Sequence, residues 1–224
     1  MDIVEEIKFP STNKDWLQKV LIGGIINMIP IVNFLGSGYN LKVMKAAISG
    51  KSELPEWGDW GNLFVKGLIA FIITIVYLII PIVVLLISLG SMILSLISSG
   101  MSGNMGMALG AIGGAMGGFL IGIILLLVFG FLIPMALSMY AKEDNIGAAF
   151  RFGEVISRIG SVFGDYVTVY IVLIVLWIIL GLFTSVPILG FLIFIFGGFY
   201  IAIWGTICLA RFMQNLPFNL FENE

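Results

Sequence analysis

Residues 67–99 read GLIAFIITIVYLIIPIVVLLISLGSMILSLISS, and this stretch decides the fold. It begins a longer segment, from Gly67 to Ala141, that contains no Asp, Glu, Lys, Arg or His. A soluble domain that exposed such a segment to water would aggregate, whereas a bilayer solvates apolar runs of about 18 residues or more. The chain is therefore predicted to be an integral membrane protein, and helices would satisfy its backbone hydrogen bonds in lipid.

Four segments are long enough to cross a hydrocarbon core of about 30 Å, which takes about 20 helical residues. They run from Leu63 to Ser95, Gly106 to Tyr140, Tyr166 to Thr184 and Ile188 to Leu209. The predicted fold class is all-α, a polytopic helical membrane protein with four full transmembrane helices. The composition, with 60% hydrophobic and 11% charged residues, agrees with this class.

The polar residues exclude several classes of function. The net charge is −2 and the chain has no His, so it offers neither a basic surface for nucleic acid nor an imidazole for metal or proton chemistry. The single Cys208 lies among apolar neighbours, where a thiol behaves as a small hydrophobic group. We expect no enzymatic activity, no catalytic or metal-binding residue, no cofactor and no nucleic-acid partner.

The uncharged segment from Val20 to Leu41 is either one span or a hairpin, because a polar break formed by Asn27, Pro30 and Asn33 divides it. One span would place lysines on both sides of the membrane, although Lys and Arg accumulate in short cytoplasmic loops. A hairpin that enters and leaves on one face places all eleven Lys and Arg on the cytoplasmic side. We favour a short hairpin, re-entrant or half-length, in a plasma-membrane protein with both termini in the cytoplasm.

Residues 2–47 and 145–213 show a weak internal repeat. Asp2–Phe9 is similar to Asn145–Phe152, and Pro30–Leu35 is similar to Pro187–Leu192, in the same order. Each arm of the first copy is shorter by about 12 to 14 residues, or roughly 20 Å of helix. The first hairpin should therefore enter the membrane part-way, whereas the second should cross it.

We expect one membrane domain, residues 1–224, built from five consecutive parts. These are a short N-terminal hairpin with a cytoplasmic Trp-rich loop (1–62), a long transmembrane hairpin (63–142), an interfacial amphipathic helix (145–164), a second transmembrane hairpin (165–212) and a cytoplasmic tail (213–224).

Five glycines at four-residue spacing share one face of the second span: Gly106, Gly110, Gly114, Gly118 and Gly122. Small residues in this pattern let two helix backbones approach closely. We interpret the ladder as a helix-packing surface. A flexible element and a homo-oligomer interface are the alternatives.

The segment 145–164 alternates apolar and polar residues at helical spacing, which predicts a helix lying in the membrane interface. Arg151 and Arg158 can each pair with Glu154 along its polar face. The two arginines are candidate contacts for lipid headgroups or a protein partner. The alternative is a helix that only anchors the chain before the next span.

The loop before the first long span, residues 51–62, reads KSELPEWGDWGN. Trp57 and Trp60 fit the aromatic belt of a membrane interface and are candidate lipid or partner contacts, and Asp59 or Glu56 can cap the following helix. Paired carboxylates also bind cations or act as general acid and base, but the sequence offers no His or Cys ligand and no evident nucleophile.

These segments resemble the prokaryotic membrane proteins of domain-of-unknown-function family 4013. The resemblance lies in five stretches: Asp2–Pro10 with Asp15 and Trp16, Gly23 with Gly24, Pro30–Phe34, Leu54–Trp60 and Asn145–Phe152. Of these, Leu54–Trp60 is the most specific, and together they cover most of the chain. The resemblance implies a membrane protein with several helices and brings no catalytic residue.

Two functions remain after these exclusions. The leading hypothesis is a non-enzymatic, lipid-interacting, membrane-organising or accessory component, with the bilayer and a protein or second copy as partners. The alternative is a facilitator for a small neutral or apolar solute, lined by the polar break at Asn27 and Asn33, since irregular backbone at membrane depth must be buried or face water.

Overall fold

The computed structural model describes residues 9–51, 53–103 and 105–215, and their regular structure is helical. The α-helices of these residues are α1 (Trp16–Asn27), α2 (Asn33–Ile48), α3 (Trp60–Ser102), α4 (Met105–Glu143), α5 (Phe152–Ser161), α6 (Phe163–Phe183) and α7 (Leu189–Asn215). Short 3₁₀ turns at Phe9–Thr12 and Ile146–Phe150 precede α1 and α5. The predicted tail beyond residue 215 and residues 2–8 of the repeat lie outside the described residues.

Four helices, α3, α4, α6 and α7, are long and apolar enough to cross a membrane. The prediction of an all-α protein with four spans is thereby confirmed. Each helix extends beyond its predicted span at one end or at both, most clearly α3, which begins at Trp60 and ends at Ser102. Hydropathy marks only the apolar part of a helix, whereas backbone hydrogen bonding continues into its polar ends.

The segment around Pro30 is a short hairpin and not a single span. α1 has 12 residues and α2 has 16, which correspond to about 18 and 24 Å of helix, less than the hydrocarbon thickness. α2 continues beyond the uncharged segment, which ends at Leu41, to Ile48, because Lys42 and Lys45 take part in the helix and reach polar partners with their side chains. That the hairpin is re-entrant stays a prediction.

The predicted continuous helix at 145–164 is wrong in one respect. The chain forms a 3₁₀ turn first, because the Asn145 side chain accepts a hydrogen bond from the Gly147 amide at 2.9 Å. Arg151 then leaves helical geometry, with φ −78° and ψ 72°, and α5 starts at the next residue. Val162, at φ −123°, separates α5 from α6.

The chain divides into two compact units. The larger comprises Met1–Ile73 and Pro134–Glu224, and the smaller comprises Thr74–Ile133. In the larger unit α7 packs against α1, α2 and α6. The middle and C-terminal part of α7 supply much of the core with side chains that are nearly or fully buried: Phe199, Ile203, Trp204, Ile207, Cys208 and Ala210.

Two glycines let α2 lie directly against the first turns of α3. A methyl group on Gly38 would overlap the carbonyl oxygen of Leu63, and one on Gly67 would overlap the carbonyl oxygen of Phe34. The Phe34 ring also contacts Phe64 edge-on, with ring centres 5.7 Å apart. This contact places the start of α2 beside the first turns of α3.

The smaller unit consists of two antiparallel arms, one from α3 and one from α4. Two members of the glycine ladder pack inside it, because a methyl group on Gly118 would overlap Ser88 and one on Gly122 would meet Leu85. Gly110 and Gly114 face open space, and Gly106 is exposed in the first turn of α4. An oligomer interface along the ladder stays a prediction.

Candidate functional site

The Trp-rich loop folds back onto the N-terminal hairpin and is held there by buried and part-buried polar contacts. Asn13 accepts a hydrogen bond from the Leu54 amide (2.9 Å), and the Lys19 ammonium donates to the Leu54 carbonyl (2.8 Å). The Tyr39 hydroxyl donates to the Pro55 carbonyl (2.8 Å). These bonds satisfy backbone groups that the loop would otherwise bury without partners.

Lys19 is the centre of this clamp, although only 6% of its surface is exposed. Its ammonium pairs with the Glu56 carboxylate at 2.6 Å, and its carbonyl accepts a hydrogen bond from the Trp57 indole at 3.1 Å. Lys42 donates to the Glu56 carbonyl at 2.7 Å. Burial, aided by the Glu56 carboxylate, raises the pKa of Tyr39, so its hydroxyl remains a donor.

Trp57 lies inside a stack of aromatic rings. Its ring centre is 4.0 Å from that of Tyr39, 5.7 Å from that of Trp60 and 6.1 Å from that of Phe199 on α7. Trp57 is half-buried, whereas Trp60 is 48% exposed. Of the two predicted contact residues, Trp57 therefore belongs to the packing of the loop and Trp60 faces outward.

A cavity of about 490 Å³ opens between the Trp-rich loop, the second half of α2, the first turns of α3 and the end of α4. Its lining mixes both signs of charge. The cationic residues are Lys42, Lys45, Lys51 and Lys66, and the anionic residues are Glu53, Glu56, Asp59 and Asp144. We call this space the lysine cavity.

Asp144 joins two of these lysines across the lysine cavity. Its carboxylate lies 3.1 Å from the Lys45 ammonium on α2 and 3.0 Å from the Lys66 ammonium on α3. Hydrogen bonds from Lys66 and Lys45 hold the pKa of Asp144 below its usual range. The Asp144 backbone is left-handed, with φ 55°, and its side chain is 49% exposed.

The charged residues of α5 and Arg151, which directly precedes it, are paired. Arg151 makes a two-pronged bond to Glu143 at the end of α4 (2.8 and 3.1 Å) and a second contact to Glu154 (3.2 Å). Although burial raises the pKa of Glu154, hydrogen bonds from Arg158 and Arg151 leave it lowered overall. The predicted pairing with Glu154 is present for both arginines.

The sequence analysis placed Arg158 on an open polar face of the helix, but the structure does not. It is 7% exposed, and its guanidinium bonds Glu154 and also reaches the sulfur of Met213 on α7 at 3.8 Å. Arg158 is buried because of its position around the helix. Successive helical residues are about 100° apart, which places Arg158 beside the inward-facing Val155 and Ile159. Arg151 remains exposed.

The outward side of α5, together with the first residue of α6, carries a stripe of large apolar side chains. Phe152, Ile156 and Phe163 are 44%, 58% and 58% exposed. A stripe of this kind beside a polar edge is typical of a helix that lies in a membrane interface. We call these three residues the α5 stripe.

The polar break of the N-terminal hairpin lies at its turn. Asn27 ends α1, Asn33 begins α2 and Pro30 lies between them, followed by Ile31 in a left-handed conformation with φ 73°. The Asn27 amide oxygen occupies the space where a side chain on Gly36 would be. The Asn27 amide therefore lies between the two arms of the hairpin. That the polar break lines a path for a solute stays a prediction.

The sequence did not identify Lys19, Tyr39 or Asp144 as site residues. The positive-inside argument placed the segments that carry these residues on the same side of the membrane. The number of charges, however, does not show which residues that are distant along the chain form pairs. Among the described residues, no three His, Cys, Asp or Glu side chains are grouped so that they could hold a metal ion.

Comparison with protein families gives one match. A family model described as a protein of unknown function, DUF4013, matches residues 22–189. The matched region contains the N-terminal hairpin turn, the Trp-rich loop, both long helices and α5. No curated protein and no solved structure matches the chain.

Proposed function

We propose that this chain, which belongs to the DUF4013 family of proteins of unknown function, is a non-enzymatic membrane component that retains lipid at the membrane interface. The observation that carries the proposal is the α5 stripe. Three large apolar side chains face outward at the point where the chain passes between two candidate spans, α4 and α6.

The attachment of α5 supports this role. The bond between Arg151 and Glu143 joins the start of α5 to the end of α4, and the contact between Arg158 and Met213 joins it to α7. Because both ends of a span lie near the headgroups, a helix fixed to one such end places its apolar face among lipid headgroups and upper acyl chains. Because Arg151 and Arg158 are paired with carboxylates, the outward surface of α5 offers mainly apolar groups for contact.

The arrangement supports binding more than chemistry. Two carboxylates that line the lysine cavity are already paired, Asp144 with Lys45 and Lys66, and Glu56 with Lys19 outside the lining. A nucleophile poised beside a base, which covalent catalysis requires, is not among the lining residues. A scaffold that gathers lipid or a partner protein needs no such pair.

The test is native mass spectrometry of the full chain released from its own membranes, with the retained lipids counted. We expect a stoichiometric lipid on the unmodified protein and its loss in the double variant Ile156→Ser/Phe163→Ser. Leu17→Ser is the matched control, since Leu17 on α1 is 54% exposed and lies outside the stripe. A protein that carries no lipid, or a double variant that retains as much as the control, contradicts the proposal.

A further inference from the structure

We propose that the lysine cavity binds the headgroup of an aminophospholipid, with its phosphate between Lys45 and Lys66 and its primary ammonium against the carboxylates of the Trp-rich loop. This inference rests on the lipid-retaining function proposed above, and it names the lipid and a second place where it is held.

The first argument is the position now occupied by Asp144. Two ammonium groups from different helices converge on its two carboxylate oxygens, at 3.1 Å for Lys45 and 3.0 Å for Lys66. A phosphodiester presents to the same pair two non-bridging oxygens that share one negative charge, and lysine binds phosphate as a point charge. Because Asp144 is half exposed, it can turn to solvent when a phosphate replaces it.

The second argument is the balance of charge. The lining has four lysines and four carboxylates, so the cavity as a whole favours a ligand without net charge. A phosphate that displaces Asp144 substitutes one negative charge for another. The ammonium of the same ligand has carboxylates of the Trp-rich loop in the same lining, Glu53, Glu56 and Asp59.

The third argument is the depth of the cavity along the spans. Its lining includes Leu63 and Lys66 in the first two turns of α3, and Tyr140 and Ala141 in the last turn of α4. The ends of membrane-spanning helices lie at headgroup level, and basic pockets between them bind lipid phosphates. A volume of about 490 Å³ lies within the usual range for small-ligand sites.

A primary ammonium distinguishes this ligand from other phospholipids. It donates three hydrogen bonds to carboxylates, whereas a choline group donates none and a glycerol headgroup carries no positive charge. The cavity should therefore prefer an ethanolamine headgroup to both. Asp144 acts as an internal competitor for the phosphate position.

The experiment measures binding of dihexanoyl phosphatidylethanolamine to the full chain in detergent, by titration followed with native mass spectrometry. We expect it to bind about tenfold or more tightly than the choline and glycerol lipids of the same chain length. Equal binding of the choline lipid, or tighter binding of the glycerol lipid, overturns the inference. O-phosphoethanolamine tests the source, because equal binding of this soluble probe would replace the lipid with a soluble aminophosphate.

Variants locate the site. Lys45→Gln/Lys66→Gln should weaken binding about tenfold or more, while Lys14→Gln, an exposed lysine outside the cavity, should leave it unchanged. Asp144→Asn should tighten binding because it removes the competitor, and it keeps the inference testable if the double variant fails to fold. Weaker binding by Asp144→Asn overturns it. If the protein retains lipid through the α5 stripe but does not prefer the ethanolamine lipid, the inference about the lysine cavity is wrong while the proposed function stands.

Discussion

The N-terminal hairpin (α1–α2) and the C-terminal hairpin (α6–α7) reverse direction with closely similar turns. Each turn has a proline followed by an isoleucine in the left-handed region, Ile31 at φ 73° and Ile188 at φ 64°. Corresponding backbone bonds close both turns: Ile29 N to Ile26 O (3.2 Å) and Val186 N to Phe183 O (3.0 Å), then Asn33 N to Ile29 O (3.0 Å) and Gly190 N to Val186 O (2.9 Å).

The arms of the two hairpins differ. The N-terminal arms have 12 and 16 residues, and the C-terminal arms have 21 and 27. At 1.5 Å per residue the latter are about 32 and 40 Å long, enough to cross the hydrocarbon core, while the former are not. The comparison shows that the turn conformation depends on local sequence, whereas arm length decides whether a hairpin can span a membrane.

The largest expected difference between the hairpins is topological. In membrane vesicles of known orientation, Ser185→Cys in the C-terminal turn should react with an impermeant maleimide added from outside. Met28→Cys in the N-terminal turn should not, because its arms are too short to carry it across. The natural Cys208 is fully buried and should give little background. External labelling of Met28→Cys would show that the N-terminal hairpin crosses.

The next largest difference concerns the spacing of the arms. Gly190→Ala should lower the free energy of unfolding by about 1–3 kcal/mol, because the methyl group overlaps the backbone oxygen of Phe183. Gly36→Ala should change it by less than about 1 kcal/mol, since the overlapping group is the Asn27 side chain, which can turn away. Denaturant titration in detergent measures both. Equal losses would mean that Asn27 cannot move.

A smaller effect should be shared by both turns. Ile31→Gly and Ile188→Gly should each raise the free energy of unfolding by up to about 1 kcal/mol, because a β-branched residue is strained at positive φ. Both side chains are mostly exposed, so little burial is lost. Ile25→Gly, inside α1, is the control, and it should lower the free energy of unfolding by about 1 kcal/mol. Unequal gains at the two turns would argue against a shared conformation.

The smallest expected effect is a pH dependence set by Asp144, which pairs with Lys66 on α3 and, of the two hairpins, only with the N-terminal one, through Lys45 on α2. Because the pKa of Asp144 is lowered in the folded protein, its contribution to stability is present above the unfolded pKa. It is lost as the pH falls through the folded value. The effect is small because Asp144 is half exposed. Thermal unfolding of the protein and of Asp144→Asn should converge at low pH, and parallel curves would contradict this.

Prediction from sequence succeeded where a single segment carries the signal. The apolar runs predicted the four spans, and the positions of Lys and Arg around the break at Pro30 favoured a hairpin over a single span. It was less successful for α5, since a local hydrogen bond at Asn145 and the dihedral angles of Arg151 divide the predicted helix. It also misplaced Arg158, whose burial depends on Met213 on α7, far away in the sequence.

The sequence by itself determined that this is a helical membrane protein, because hydrophobicity and helix length are properties of consecutive residues. Only the tertiary structure decided that Lys19 holds the Trp-rich loop, that Trp57 stacks on Tyr39 and that Asp144 joins Lys45 to Lys66. These pairings depend on how the helices pack against each other. Charge and polarity say that a residue needs a partner, whereas packing determines which partner it meets.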